Sequence, residues 1–305
     1  MEVELEVIVV SYRCGNLLRN CLEALRQHPA SCPMRTTVVD SGSGDGTAEM
    51  VEEEFEEVRL IRCEHNIGFA AANNLVLRET PAPFVLLLNP DTEVRAGALD
   101  ICLERLAENP RIGMVGARLE LANGQLDHAC KRSFPTPLSA LGHFSGLGRH
   151  SQAAGLAQYR TPGLPDDEPG RVDAINGAFM LVRMAAVREV GELDEGYWLY
   201  MEDLDWCYRF WKCGWRVFYE PRAAVLHVKG GSSGSRRGLR QEIAFHRGMG
   251  RFYRKFYASE RNPALNIAVY AGIGAKLALS LGVTRALSFR PGSTRDGTTP
   301  GEPTC

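Results

Sequence analysis

No C-x-x-C pair occurs among the nine cysteines, which are odd in number and scattered at positions 14, 21, 32, 63, 102, 130, 207, 213 and 305. That spacing argues against a zinc ribbon and a disulfide framework, and it fits a reducing compartment. Excess charge of either sign is missing too: 35 Lys and Arg face 37 Asp and Glu over 305 residues. A chain so balanced gives no overall reason to expect a nucleic-acid partner. The N-terminus, Met-Glu-Val-Glu-Leu-Glu, is acidic where a secretory signal needs a positive start, so no signal peptide is expected. The most apolar region, 263–289, is interrupted by Lys276 and Arg285, and its longest uncharged run is 262–275. That run falls short of the roughly 20 residues a spanning helix needs. The region reads either as a core helix or as one lying flat on a membrane with Lys276, Arg285 and Arg290 reaching toward water.

With 45% hydrophobic and 24% charged residues the chain is a folded protein, not a disordered one. Its first 120 residues alternate short β-branched runs with helical patterns. Strands are expected at 7–10, 36–39, 58–62, 84–88 and 112–121, and helices at 17–25, 47–57, 69–78 and 99–107. Asp45 or Thr47 is suited to cap the second helix, and its six glutamates read as a solvated face. Asn123-Gly124 suggests a hairpin turn. Such alternation implies an α/β fold with a mostly parallel sheet, in which ligands sit at the carboxyl ends of the strands. Periodicity fades over 131–171, a second organised block runs over 172–257, and 290–305 reads as a disordered tail.

The strand ends hold the candidates. Ser11-Tyr12-Arg13 ends the first, with neither G-x-G-x-x-G nor G-x-x-x-x-G-K-[ST] following, so dehydrogenases and P-loop enzymes fit poorly. A nucleotidyltransferase would need a basic glycine-rich loop there as well, and it is absent. Asp40 ends the second strand, suited either to a nucleoside or to an Asx turn. Asn89-Pro90-Asp91-Thr92 ends another. A single rigid carboxylate there suits a divalent cation whose other ligands are phosphate and water, and the same tetrapeptide is good turn chemistry. Glu202, Asp203 and Asp205 open a helix whose apolar face is Leu204, Cys207, Tyr208 and Trp211. All four tryptophans, Trp198 among them, lie within 18 residues, as core or as a sugar platform. His227 ends a strand-like run before a Gly/Ser loop carrying Lys229, a candidate anion-binding lid. From Lys229 to Arg261 nine Lys and Arg meet two Glu, a block suited to phosphates or an anionic membrane.

Several segments, in this order, resemble the family 2 glycosyltransferases. They are Val-Ile-Val-Val-Ser-Tyr at 7–12, Val-Val-Asp-Ser-Gly-Ser-Gly-Asp-Gly-Thr at 38–47 and Asn-Ile-Gly-Phe-Ala-Ala-Ala-Asn-Asn at 66–74. The later ones are Leu-Leu-Asn-Pro-Asp-Thr at 87–92, Asn-Gly-Ala-Phe-Met-Leu at 176–181 and Leu-Asp-Glu-Gly-Tyr-Trp-Leu-Tyr-Met-Glu-Asp-Leu-Asp at 193–205. The likeness covers roughly 5–257 and is strongest to the bacterial rhamnosyltransferase-like branch.

The resemblance implies a GT-A fold, α/β, with a mixed, mostly parallel central sheet flanked by helices and a helical C-terminal extension. Residues 1–120 would form the nucleotide-sugar-binding half and 121–257 the acceptor-binding and catalytic half, with 258–289 an apolar and basic helical segment. It implies an inverting transfer of a sugar, rhamnose from dTDP-rhamnose in the first instance, to a lipid-linked or cell-surface glycan. Ser11, Tyr12, Asp40, Asn66, Gly68, Asn73, Asn89 and Asp91 would bind the donor, and Asp91 and His227 would hold Mg2+ or Mn2+. Asp203 would be the catalytic base, with Glu202, Asp205 and Trp198 secondary or at the acceptor. Asn89 departs from the family pattern, standing where a first acidic residue is usual and removing one carboxylate from the metal side. The expected place of work is the cytoplasm, on the inner face of the plasma membrane. The competing expectation is an inactive nucleotide-sugar- or glycan-binding scaffold at the membrane.

Overall fold

Leu5–Ser11 (β1) is buried on both faces, as a strand must be when helices cover the sheet front and back. A computed structural model of the chain describes residues 2–135, 163–228 and 238–288. β2 (Met34–Asp40), β3 (Arg59–Arg62) and β4 (Phe84–Leu88) join β1 in parallel, with Ser11 opposite Asp40 and Val9 opposite Leu88. Between them run α1 (Gly15–Gln27), α2 (Thr47–Glu54) and α3 (Phe69–Leu77). Helix α1 buries Leu18, Cys21, Leu22 and Leu25, one stripe at helical spacing. Asp45 accepts from both the backbone N (3.2 Å) and the hydroxyl (2.6 Å) of Thr47, opening α2. That helix stops at Glu54, short of the expected 57, because Phe55 turns into the core. Its glutamates are solvated and pair with Arg19 and Arg62.

The second half continues the same sheet. β5 (Thr92–Val94), α4 (Ala98–Glu108) and β6 (Ile112–Leu121) precede β7 (Gly170–Val172), β8 (Phe179–Arg183) and α5 (Met184–Val190). Then come α6 (Glu202–Lys212), β9 (Arg216–His227), α7 (Leu239–Phe256) and α8 (Pro263–Ser288). The strand order is β3-β2-β1-β4-β8-β6-β9-β5, with β7 also on β9. β8 lies antiparallel to β4 and β6, β6 and β9 are parallel, and β5 and β7 run antiparallel to β9. The sheet is therefore parallel through its first half and mixed beyond. A division at residue 120 falls inside β6, and one core runs through both sides of it. The Asn123-Gly124 turn forms, with Gly124 at φ +78° and Glu120 bridged to Leu126. Most of the aperiodic stretch, the loop after Val228 and the segment from 290 onward lie outside the described residues.

This topology gathers the carboxyl ends of β1, β2, β4 and β9 along one edge. Gly68 shows how closely that edge is packed: it sits at φ +88°, and a Cβ there would meet the Trp198 carbonyl oxygen at 2.5 Å. Gly68→Ala is expected to destabilise the fold by about 2–4 kcal/mol, the sum of a left-handed backbone and an overpacked contact. An unchanged denaturant midpoint for that variant would contradict the packing described here.

Candidate active site

Ser11 is fully buried at the end of β1, and Tyr12 beyond it is exposed, its ring beside the Arg13 guanidinium (5.2 Å). Asp40 makes the turn contemplated from sequence: its carboxylate accepts from the Ser43 hydroxyl and, at 3.1 Å, from the Ser43 backbone N. The Ser43 hydroxyl also accepts from Arg13 N (2.9 Å), so the loops after β1 and β2 are tied together. Asn66 accepts from Gly68 N (3.0 Å), and Phe69 N donates to the Trp198 carbonyl (2.9 Å), docking the start of α3 on the 198–201 turn. Asn73 is buried and donates to the Phe69 carbonyl (2.9 Å), while its own oxygen has no hydrogen-bond partner among the described residues.

Asn89 forms the turn after β4 through its backbone, its carbonyl accepting from the Thr92 hydroxyl at 2.6 Å. This leaves the Asp91 side chain, buried, facing His227: Oδ1 stands 3.6 Å from Nε2. The other imidazole nitrogen, Nδ1, is 3.1 Å from Asp127 Oδ2. Burial works against an imidazolium there, but the bonds to Asp127 and Asp91 outweigh it and push His227 up to about 9. Among the described residues no group of three or more His, Cys, Asp or Glu is arranged to hold a metal. A cation at Asp91 and His227 would therefore draw its remaining ligands from phosphate and water. The pair would serve that use once His227 gives up the Nε2 proton that its two carboxylate neighbours favour, because a ligating imidazole must be neutral. Asp127 would then orient the ring from behind.

The three carboxylates opening α6 have separate fates. Asp205 is fully buried and committed to Tyr197, Arg209 (2.6 Å) and Lys255 (2.7 Å), a brace between α6 and α7. Asp203 receives Arg132 Nη2 at Oδ2, together with Gly177 N at 3.2 Å, and Leu204 N at Oδ1 at 2.7 Å. Glu202 is buried, and its Oε2 has no hydrogen-bond partner among the described residues. Burial first, and the neighbouring Asp203 charge second, push Glu202 up to about 8. One turn joins the two acidic centres. Gly177 N bonds Asp203, and the next residue, Ala178, accepts from Asn89 N (3.0 Å). The arrangement thus offers one buried carboxylate paired to an arginine, one neutral carboxyl beside it, and a carboxylate–imidazole pair across the turn. Such a set can take a proton from a hydroxyl and hold a cation on a phosphate.

The profile described as "Glycosyl transferase family 2" matches residues 6–127. A Mycobacterium tuberculosis protein named N-acetylglucosaminyl-diphospho-decaprenol L-rhamnosyltransferase is 30% identical over 245 residues, 75% of this chain and 78% of its own. The chain belongs to glycosyltransferase family 2. A pre-mycofactocin glycosyltransferase from the same organism is 29% identical over 69% of this chain and 41% of its own. The fold matches GalNAc-T7, crystallised with UDP, GalNAc and Mn2+, with a TM-score of 0.61 at 14% identity, over 84% of this chain and 48% of that one. The mannosyltransferase PcManGT of Pyrobaculum calidifontis, crystallised with GDP-Man and Mn2+, matches with a TM-score of 0.58 at 16% identity, over 95% of this chain and 81% of that one.

Within this family 2 fold, the residues singled out from sequence gather at one edge, with two qualifications. Asp205 is taken up in the brace to α7 instead of facing a ligand. Trp198 contacts the Gly68 turn and carries the Arg240 guanidinium on its ring (4.3 Å). Arg132, Asp127 and Gly177 were not foreseen as site residues. Arg132 bears no local signal, since it lies where periodicity fades, and Asp127 stands just ahead of that stretch with no motif of its own; Gly177 lies inside the 176–181 segment.

Glu202 supplies a test of this electrostatic picture. An unfolded glutamate titrates near 4.3 and the folded one near 8. The stability tied to its neutral form is therefore complete below the unfolded value and is lost as pH rises through the folded one. Glu202→Gln, which cannot ionise, should lose less melting temperature between pH 5 and 9 than the parent. Parallel losses would contradict the assignment.

Proposed function

We propose that this family 2 enzyme is an inverting glycosyltransferase. It moves rhamnose from dTDP-rhamnose to a hydroxyl of a lipid-linked or cell-surface glycan, at the cytoplasmic face of a bacterial plasma membrane. The observation that carries this reading is the Asp203–Arg132 pair, joined by the 176–178 turn to the strand end bearing Asp91. The relative named as an L-rhamnosyltransferase on a diphospho-decaprenol supports the choice of sugar and acceptor.

In this mechanism Tyr12 lies along the nucleobase, and Ser11 and the Asp40 loop line the nucleoside. Gly68, packed against Trp198, keeps the 66–74 segment along the donor, and the spare oxygen of Asn73 accepts from a sugar hydroxyl. Asp91 and His227 would hold Mg2+ or Mn2+, with Asn89 contributing to the donor pocket without a second carboxylate. When bound there, such a cation would supply charge stabilisation to the departing nucleoside diphosphate. Asp203, held in place by its pairing with Arg132, takes the proton from the acceptor hydroxyl. The hydroxyl oxygen attacks the anomeric carbon from the face opposite the diphosphate, which leaves with the bonding pair. One displacement inverts the configuration, and no enzyme nucleophile is required. Glu202, neutral at the helix start, is suited to donate a hydrogen bond to the acceptor.

Thermal unfolding against dTDP, UDP and GDP, each with and without Mn2+, tests donor and metal together. A ligand at about 100 times its Kd adds about 2.7 kcal/mol, so dTDP with Mn2+ should raise the melting temperature clearly. Asp91→Asn should lose the metal-dependent part of that rise. Asp203→Asn should keep it while turnover falls by about 100-fold or more. Near-parental turnover in Asp203→Asn would remove the base from the mechanism, and no rise with any nucleotide would favour the binding-scaffold alternative.

A further inference from the structure

Helix α8 is apolar almost all round, and its few polar side chains lie on the side turned toward the protein. Among its residues with described side chains, Asn266, Lys276 and Ser280 lie on the half-buried side. There Asn266 bonds the Tyr253 hydroxyl (2.7 Å) and the Ala258 carbonyl (2.9 Å), while Val269 and Ile273 pack with Met249, Tyr253 and Tyr257. The exposed positions are apolar or small throughout, including Ala271, Ala275 and Ala278, with Ile267 69% and Leu279 73% exposed and Tyr270 at their edge. Ordinary surface helices turn their polar stripe outward and their apolar stripe in. Here no charged residue faces outward between 263 and 282. Within that length the helix is long and apolar enough to cross a membrane, and only 6% of it is buried, so it is not a core helix.

We propose that the outward face of α8 is a membrane-docking surface, seated at the headgroup–acyl boundary of a bilayer rich in anionic phospholipid. Its first turns are fixed sideways to α7 through Val269 and Ile273, so the helix lies along the surface instead of threading the bilayer. The charge nearby selects lipid over a second copy of the chain. Residues 238–282 hold seven Lys and Arg against two Glu, in a chain whose overall charge is close to balanced. Arg240, Arg247 and Arg254 recur every seven residues on α7, all exposed, and Arg247 and Arg254 have no carboxylate partner among the described residues. Two copies meeting here would oppose like charges, whereas anionic headgroups neutralise them. The outward face also has few large side chains, of the kind that anchor protein interfaces. The inference rests on the reading of a lipid-linked acceptor: docking α8 would hold the acceptor edge of the sheet at the membrane that carries the substrate.

Sedimentation of the full chain with vesicles tests this, using phosphatidylcholine alone and phosphatidylcholine with about one-third phosphatidylglycerol. The protein should pellet with the anionic vesicles and much less with the neutral ones. Ile267→Glu combined with Leu279→Glu should lower the partition at least about tenfold. Arg247→Glu with Arg254→Glu should lower it at low salt. Both variants should keep the nucleotide- and Mn2+-dependent thermal shift, which reports the donor site separately. A parent chain that stays in the supernatant while showing that shift would overturn the docking surface and leave the transferase reading standing. So would a glutamate variant that partitions like the parent, or a soluble dimer that the glutamates split into monomers.

Discussion

Arg132 reaches the first turn of α6 from a segment seventy-one positions earlier in the chain and places its guanidinium on Asp203. Both groups are buried, so neither is tolerable without the other: removing one partner of such a pair typically costs about 3–5 kcal/mol. The pairing orders the rest of the site. Three carboxylates crowd one helix start, where the helix dipole alone cannot hold three negative charges. Arg132 neutralises Asp203, Arg209 and Lys255 neutralise Asp205, and Glu202, left without a cation of its own, keeps its proton. Environment, not residue type, thus separates a carboxylate paired to an arginine from a neutral carboxyl on the adjacent residue.

The same pair is locked to the sheet. Arg132 also donates to the Ile175 carbonyl (2.6 Å), its backbone bridges to Ala174, and Gly177 N meets the same Asp203 oxygen. Since Ala178 then bonds Asn89, any shift of the 174–178 segment moves both acidic centres together. Asp127 does for His227 what Arg132 does for Asp203: each is a charged group from the stretch after β6 that fixes a candidate side chain carried by a later element. With Asn89 at the head of the turn, Asp91 is the one carboxylate facing the imidazole from that strand end, and the carboxylate of Asp127 stands behind it.

Much of this was legible in the sequence. Short apolar runs leading into Ser11, Asp40 and the turn at 89–92 marked strands and their useful ends, because strand period and turn chemistry are local properties. The carboxylates of α6 announced a helix start for the same reason. What local pattern does not carry is the partner. Arg132 sits where periodicity fades and Asp127 just ahead of that stretch, and their positions depend on pairings across 71 and 100 residues. Asp205 looked equivalent to its neighbours in sequence and is distinguished only by the α7 cations that reach it. Likewise composition marked 263–289 as apolar, but that its few polar residues lie on the inward side depends on which side meets α7.

The central claim of the proposed mechanism is that Arg132 positions Asp203 as the base, and sugar transfer by Arg132→Met beside Arg132→Lys tests it most directly. Without the contact to Oδ2 the carboxylate is no longer held in place, so turnover of the methionine variant should fall about tenfold or more, and the lysine variant should recover part of it. Metal-dependent nucleotide binding should be retained in both. A methionine variant that binds nucleotide normally and turns over at the parent's rate would contradict the account.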